Sequence, residues 1–200
     1  MARERDDAYG LGMIVLHWTI AALFVGQLAF GFAMSRFGSL ALQFTLIQWH
    51  KSFGFLVLGL SVLRLGWAVA SRRPGPVATL GPAERIAARG VQGLLYALTI
   101  IVPLTGWALV STSTLAIPTF AFNLVVIPHL PLVASAQAEG FWSEAHAILA
   151  YATGILAAGH AAAALTHHFL RRDDVLVRMM RPRRALRHEA PQRRKVPHES

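Results

Sequence analysis

The chain has 200 residues, of which 54% are hydrophobic and only 14% charged, where an ordinary soluble domain carries about 25% charged. With a mean hydropathy of +0.47 the composition asks for lipid. The net charge of +9 would suit a nucleic-acid binder, but its placement argues against one, and the lack of cysteine excludes disulfides, thiol catalysis, iron–sulfur clusters and zinc–thiolate sites.

A transmembrane helix needs about 20 mostly apolar residues, so long gaps between charged side chains mark the candidates. Four appear, over residues about 11–34, 50–71, 90–110 and 144–169. The first has a long apolar run, acidic residues Glu4, Asp6 and Asp7 in its flank and no convincing cleavage pattern before Arg36, so it reads as a retained helix rather than a signal peptide. The third ends where Ser111, Thr112, Ser113 and Thr114 break the apolar run, and Pro103 with Gly106 is expected to bend it. Between the third and fourth spans, Pro118 to Ala134 contains three prolines and reads as a loop at the membrane interface, not a fifth span.

The predicted fold is therefore an all-α membrane four-helix bundle. Positive charge sets its orientation. With four spans, Arg3, Arg5, Arg64, Arg72, Arg73, Arg85, Arg89 and the ten Lys/Arg from Arg171 onward share one side, leaving Arg36 and Lys51 on the other. By the positive-inside rule both termini are cytoplasmic, and the loops 35–49 and 111–143 lie outside. Residues 1–180 form the membrane domain, and 181–200 read as a disordered basic tail that faces anionic lipid headgroups, with no nucleic acid required.

Ionisable side chains within spans are costly and usually functional, which turns attention to the histidines. His17 lies near the inner end of helix 1, His50 at the outer end of helix 2, His146 at the outer end of helix 4 and His160 further down helix 4. The 14 residues between His146 and His160 put them within roughly 40° of one helix face and ~21 Å apart along it. Depth then pairs His17 with His160 and His50 with His146. Facing imidazoles at two levels are what bis-histidine ligation of two b-type hemes requires, held without covalent attachment because there is no cysteine. A compact zinc or copper site fits the 14-residue spacing less well.

Other positions support this or stand apart. Small residues at Gly26, Gly31, Gly54, Gly59, Gly154 and Gly159, with the run Ala161 to Ala164, leave room for close helix packing or for a flat macrocycle. Arg64, 14 residues after His50, falls near the inner level as a partner for a heme propionate or as a snorkelling anchor. His167 and His168 read as interfacial, and His129 as a surface or substrate residue of the outer loop. Helix 3 offers no histidine and is expected only to pack against the bundle.

These residues, taken together, resemble the bacterial diheme cytochrome b561 family over approximately residues 10–181. The resemblance is carried by Leu16-His17-Trp18, by Trp49-His50-Lys51 with Gly54 and Arg64, by Pro103-Leu104-Thr105-Gly106, and by His146 with His160. The stretch from His160 through Ala161 to Ala164, His167 and His168 to Arg178-Met179-Met180, together with Phe120-Ala121-Phe122 followed by Pro128, is similar to members that act as superoxide:ubiquinone oxidoreductases. The resemblance implies two heme b with His17, His50, His146 and His160 as axial ligands, ubiquinone as the electron acceptor and superoxide as the donor, in the bacterial inner membrane. One departure is Gln92, which stands four residues before Tyr96 where many members carry a histidine. The alternative is an electron-transfer membrane subunit that docks a dehydrogenase or hydrogenase; a non-redox heme carrier fits less well, because bis-histidine ligation saturates the iron. Lys51 and Arg36 are the cations available to attract an anionic donor at the outer face.

Overall fold

The computed structural model describes residues 10–36, 39–71, 81–173 and 175–180. Residues 181–200, read from the sequence as a basic tail, lie outside the described residues. Four long helices make the body: α1 Leu11–Met34, α2 Leu40–Ala70, α3 Pro82–Thr112 and α4 Ala136–Phe169. Each is long and apolar enough to cross a membrane. A two-stranded antiparallel hairpin, β1 Thr119–Ala121 and β2 Val125–Ile127, precedes α4, and a single turn α5 Val177–Met180 follows it.

Three helices extend well beyond the apolar spans. At 1.5 Å per residue, the 31, 31 and 34 residues of α2, α3 and α4 reach about 47, 47 and 51 Å, past a hydrocarbon layer of about 30 Å. Gaps between charges locate the part at membrane depth, whereas caps set where a helix begins. Pro82 opens α3 with Glu84 Oε2 accepting from the Gly81 N–H at 3.0 Å, and Ser135 Oγ accepts from the Ala138 N–H at 3.1 Å at the start of α4. Both starts lie eight residues before those read from hydropathy.

Even helix number puts residues 10 and 180 at one end of the bundle, called here the tail end, and the strands at the other, the hairpin end. Two hydrogen-bonded links tie the tail end. Trp18 Nε1 of α1 donates to the Met179 carbonyl at 2.8 Å, and Arg171 donates to Glu84 of α3 at 2.6 Å. His167, expected at the interface, pairs there with the buried Asp173 carboxylate at 2.6 Å.

Pro118 to Ala134 is indeed no helix. Its hairpin turns at Phe122 and Asn123, with φ of 53° and 58°, closed by Leu124 N–H to the Ala121 carbonyl at 3.0 Å. Positive φ at both central residues gives the turn its I′ character, and a phenylalanine adopts it only when neighbours impose it. Here Ser52 Oγ accepts from the Phe122 N–H at 3.0 Å and lies 3.1 Å from the Phe120 carbonyl, while the Phe122 ring stands edge-on to Phe53 and Trp49.

Packing is uneven around the bundle. α1 packs along α2, α2 along α3 and α3 along α4, but α4 makes few direct contacts with α1 and hardly any with α2. Large apolar side chains such as Val25, Val69, Phe141 and Ile155 face outward, as lipid-exposed positions must. Between helices, small hydroxyls are buried instead: Thr112 bonds to Ala108 O and Thr153 to Leu149 O, which satisfies them within their own helix. Ser52→Ala removes the hairpin's tie to α2 and is expected to cost about 1–3 kcal/mol, read as a lowered unfolding temperature in detergent; an unchanged temperature would show that the aromatic cluster alone holds the turn.

Candidate functional site

The gap between α4 and its neighbours α1 and α2 is where the histidines meet. On the hairpin side, His50 of α2 faces His146 of α4, with ring centroids 6.1 Å apart and planes at 88°. On the tail side, His17 of α1 faces His160 of α4 at 6.5 Å and 82°. Each pair draws one member from α4 and one from a helix that α4 barely touches. The 14 residues between His146 and His160 set the two pairs ~21 Å apart along α4.

A cavity beside the hairpin-end pair is lined almost wholly by apolar atoms, from residues including Phe24, Leu28, Val57 and Ala150 together with His50 and His146. Three polar groups reach this level from other helices. Gln27 Nε2 of α1 donates to the His50 carbonyl at 2.8 Å. From α3, the Val102 carbonyl lies 3.0 Å and Thr105 Oγ1 3.1 Å from His146 Nδ1. A carbonyl only accepts, so His146 carries its hydrogen on Nδ1 and presents the lone pair of Nε2. Thr105 also donates to the Val102 carbonyl at 2.7 Å, fixing the hydroxyl.

Gly106 allows this approach. A Cβ there would stand 3.1 Å from His146 Cε1, closer than side chains normally come. Helix α3, expected only to pack, thus orients one of the four histidines while contributing none of its own. A main-chain carbonyl and a missing side chain leave no mark in a search for ionisable residues, and the only signal was the run Pro103-Leu104-Thr105-Gly106.

The tail-end pair has different company. Arg64 interacts electrostatically with both His17 and His160, and its Cζ lies 4.8 Å over the Tyr96 ring of α3. Gln92 is exposed on the outer flank of α3, one turn from Tyr96 and apart from the pairs. His168 stacks edge-on with Phe169, and His129 is exposed beyond β2. At the hairpin end Arg36 lies over Phe32 at 4.6 Å, and Lys51 is partly covered. Among the described residues no three His, Asp or Glu side chains gather around a point that would suit a bare metal ion.

A four-helix membrane bundle with histidines paired across an interior gap suits a class: integral membrane proteins that hold a prosthetic group. The comparisons place the chain within it. Residues 8–182 match the family model for prokaryotic cytochrome b561. Cytochrome b561 homolog 2 of Escherichia coli is 33% identical over 175 residues, covering 87% of this chain and 92% of that protein. Cytochrome b562 of Cereibacter sphaeroides is 30% identical over 184 residues, covering 90% and 99%. The chain belongs to the prokaryotic cytochrome b561 family, and so to the multi-pass membrane proteins that bind b-type heme and transfer electrons.

The histidine pairs fit that prosthetic group. Two imidazoles bound to one iron from opposite faces at about 2 Å each have centroids about 6 Å apart, close to both observed separations. The Nδ1 atoms of His17 and His50 are buried without a hydrogen-bond partner among the described residues, and Gly31 would place a Cβ only 3.7 Å from the His50 ring. Gly106→Val, which drives a branched side chain into His146, is expected to lower heme content per chain, while Gly140→Ala at an open, exposed position of α4 leaves it unchanged. Equal heme in both variants would remove Gly106 from the site.

Proposed function

We propose that the chain is a diheme cytochrome that carries single electrons between a donor at the hairpin end and a quinone, with superoxide as donor and ubiquinone as acceptor. The observation that carries this reading is the presence of two separate histidine pairs of similar geometry at different depths. His50 and His146 would hold one heme b and His17 and His160 the other, with Arg64 beside the second. Bound heme supplies a one-electron couple at each level.

The chain's own residues hold and insulate. α1, α2 and α4 present the imidazoles. Val102 and Thr105 keep the His146 ring in the tautomer that offers Nε2. Gln27 ties α1 to the α2 main chain at His50, and the apolar lining excludes water from the space between. The positive-inside rule orients the tail end to the cytoplasm and both termini with it, which puts the hairpin end outside in an inner-membrane protein. There Lys51 and Arg36 are the cations that would raise the arrival rate of an anionic donor.

The test uses the full chain purified in detergent. Two hemes per chain, reduced by a superoxide source and reoxidised by ubiquinone without any partner protein, is the expected result. Hemes that stay oxidised under superoxide would instead favour a membrane subunit served by a dehydrogenase or hydrogenase, which should then co-purify. For the ligands, His146→Ala is expected to lose one heme and keep the other, and His160→Ala the reverse; retention of both in either variant would contradict the assignment.

A further inference from the structure

The segment between α3 and α4 is apolar on its open side and sits deeper than a surface loop would. Helix α1 gives the scale. Its 24 residues span about 36 Å, so when centred on a hydrocarbon layer of about 30 Å it overhangs by about 3 Å at each end. Gly31, three residues and about 4.5 Å before the end of α1, faces the His50 ring. Ser52, which holds the hairpin turn, lies two residues further along α2 and about 3 Å deeper. The turn is therefore held at a level just inside the layer. Trp49, Trp107 and Trp142, one from each of α2, α3 and α4, gather at this end as aromatic belts do at a membrane interface.

We propose that the outward side of the hairpin is inserted among the acyl chains of the hairpin-side leaflet, as a lateral anchor of the bundle rather than a loop resting on its surface. Phe120 and Val126 are register partners on that side and both are exposed, while Leu124 beside the turn is 84% exposed. From Leu115 to Ala138 there is no Asp, Glu, Lys or Arg, and His129 is the one ionisable side chain. The exposed Leu56 lies one turn from Ser52 on the same face of α2, and the exposed Leu104 lies three residues from Trp107 on the same face of α3. Lipid covers such positions in a multi-pass protein, and the hairpin continues that covered surface towards the headgroups.

The main chain is provided for at this depth, where polar backbone groups need partners within the protein. Ser52 Oγ accepts from the Phe122 N–H at 3.0 Å, and the Leu124 N–H closes on the Ala121 carbonyl at 3.0 Å. Trp107 Nε1 donates to the Pro128 carbonyl at 3.0 Å, and Ser111 Oγ accepts from the Leu130 N–H at 2.9 Å. Pro118, Pro128 and Pro131 remove three further donors outright. A loop in water requires none of this. Pro118 and Pro128 also flank the two strands and blunt their edges against pairing with another chain, which favours lipid over protein as the covering.

The chain has no cysteine, so one introduced thiol can be spin-labelled without background. Leu124→Cys and Val126→Cys replace exposed side chains, with Val125→Cys in reserve if either fails to fold. Leu40→Cys, at the exposed first residue of α2 and about 15 Å beyond the His50 level, marks the aqueous side. The labelled full chains are placed in vesicles of phosphatidylethanolamine and phosphatidylglycerol. Collisions with oxygen, which concentrates among acyl chains, are compared with those of a water-soluble nickel chelate supplied on both sides of the bilayer. The oxygen-to-nickel ratio is expected to be severalfold higher at both hairpin sites than at Leu40. A ratio no higher than that at Leu40, at either site, overturns the proposal in favour of a loop in water. Labels immobilised and shielded from both reagents overturn it as well, and assign the face to a second copy or another protein. Each ratio is taken at a single label, so the outcome holds whichever group the histidines bind.

Discussion

Everything in this bundle is arranged around imidazoles placed where there is no water. A histidine in hydrocarbon is tolerated only if its ring nitrogens are engaged, and four of them at two depths cannot be satisfied by helix packing alone. The fold answers by keeping α4 away from α1 and α2 and fastening it to α3. The spacing that would weaken an ordinary four-helix bundle makes room for ring-to-ring separations of 6.1 and 6.5 Å. Stability of α4 then depends on α3, on the caps at Ser135 and Gly81, and on whatever fills the gap.

Helix α3 carries more of the site than its composition suggests. Its Pro103 and Gly106 sit beside the one segment where a carbonyl, a hydroxyl and an absent Cβ converge on His146. One turn and more towards the tail, the same helix gives Tyr96 to Arg64. A helix without a histidine thereby touches the surroundings of both pairs, through groups that are uncharged and individually ordinary.

Much of this was legible in the sequence because membranes impose few and strong rules. Long apolar runs with few charges, Arg64 interrupting the second, marked all four helices at membrane depth, and the proline-rich stretch before α4 was correctly denied a helix. The pairing of His50 with His146 and of His17 with His160 followed from depth, once the nearly invariant rise and phase of a straight helix had set His146 and His160 at two levels of one face. Helix ends did not follow, because caps at Gly81 and Ser135 act outside the apolar window. Nor did the partner of His167, since a hydrogen bond with the Asp173 carboxylate depends on how the chain turns after Leu170. The role of Val102 was hidden for a different reason: any residue supplies a carbonyl, so its identity says nothing about what that carbonyl does.

The hydrogen bond from Trp18 to the Met179 carbonyl joins residues 161 positions apart, nearly the whole length of the membrane domain. During synthesis α1 emerges first and must wait in the bilayer until the last helix has passed and the following turn has folded back. His17 waits with it, because its partner His160 also arrives late. The tail-end pair is therefore completed only after translation of the membrane domain is essentially finished, and a ribosome stalled before residue 180 leaves a chain in which the first helix has neither its latch nor its facing histidine held in place.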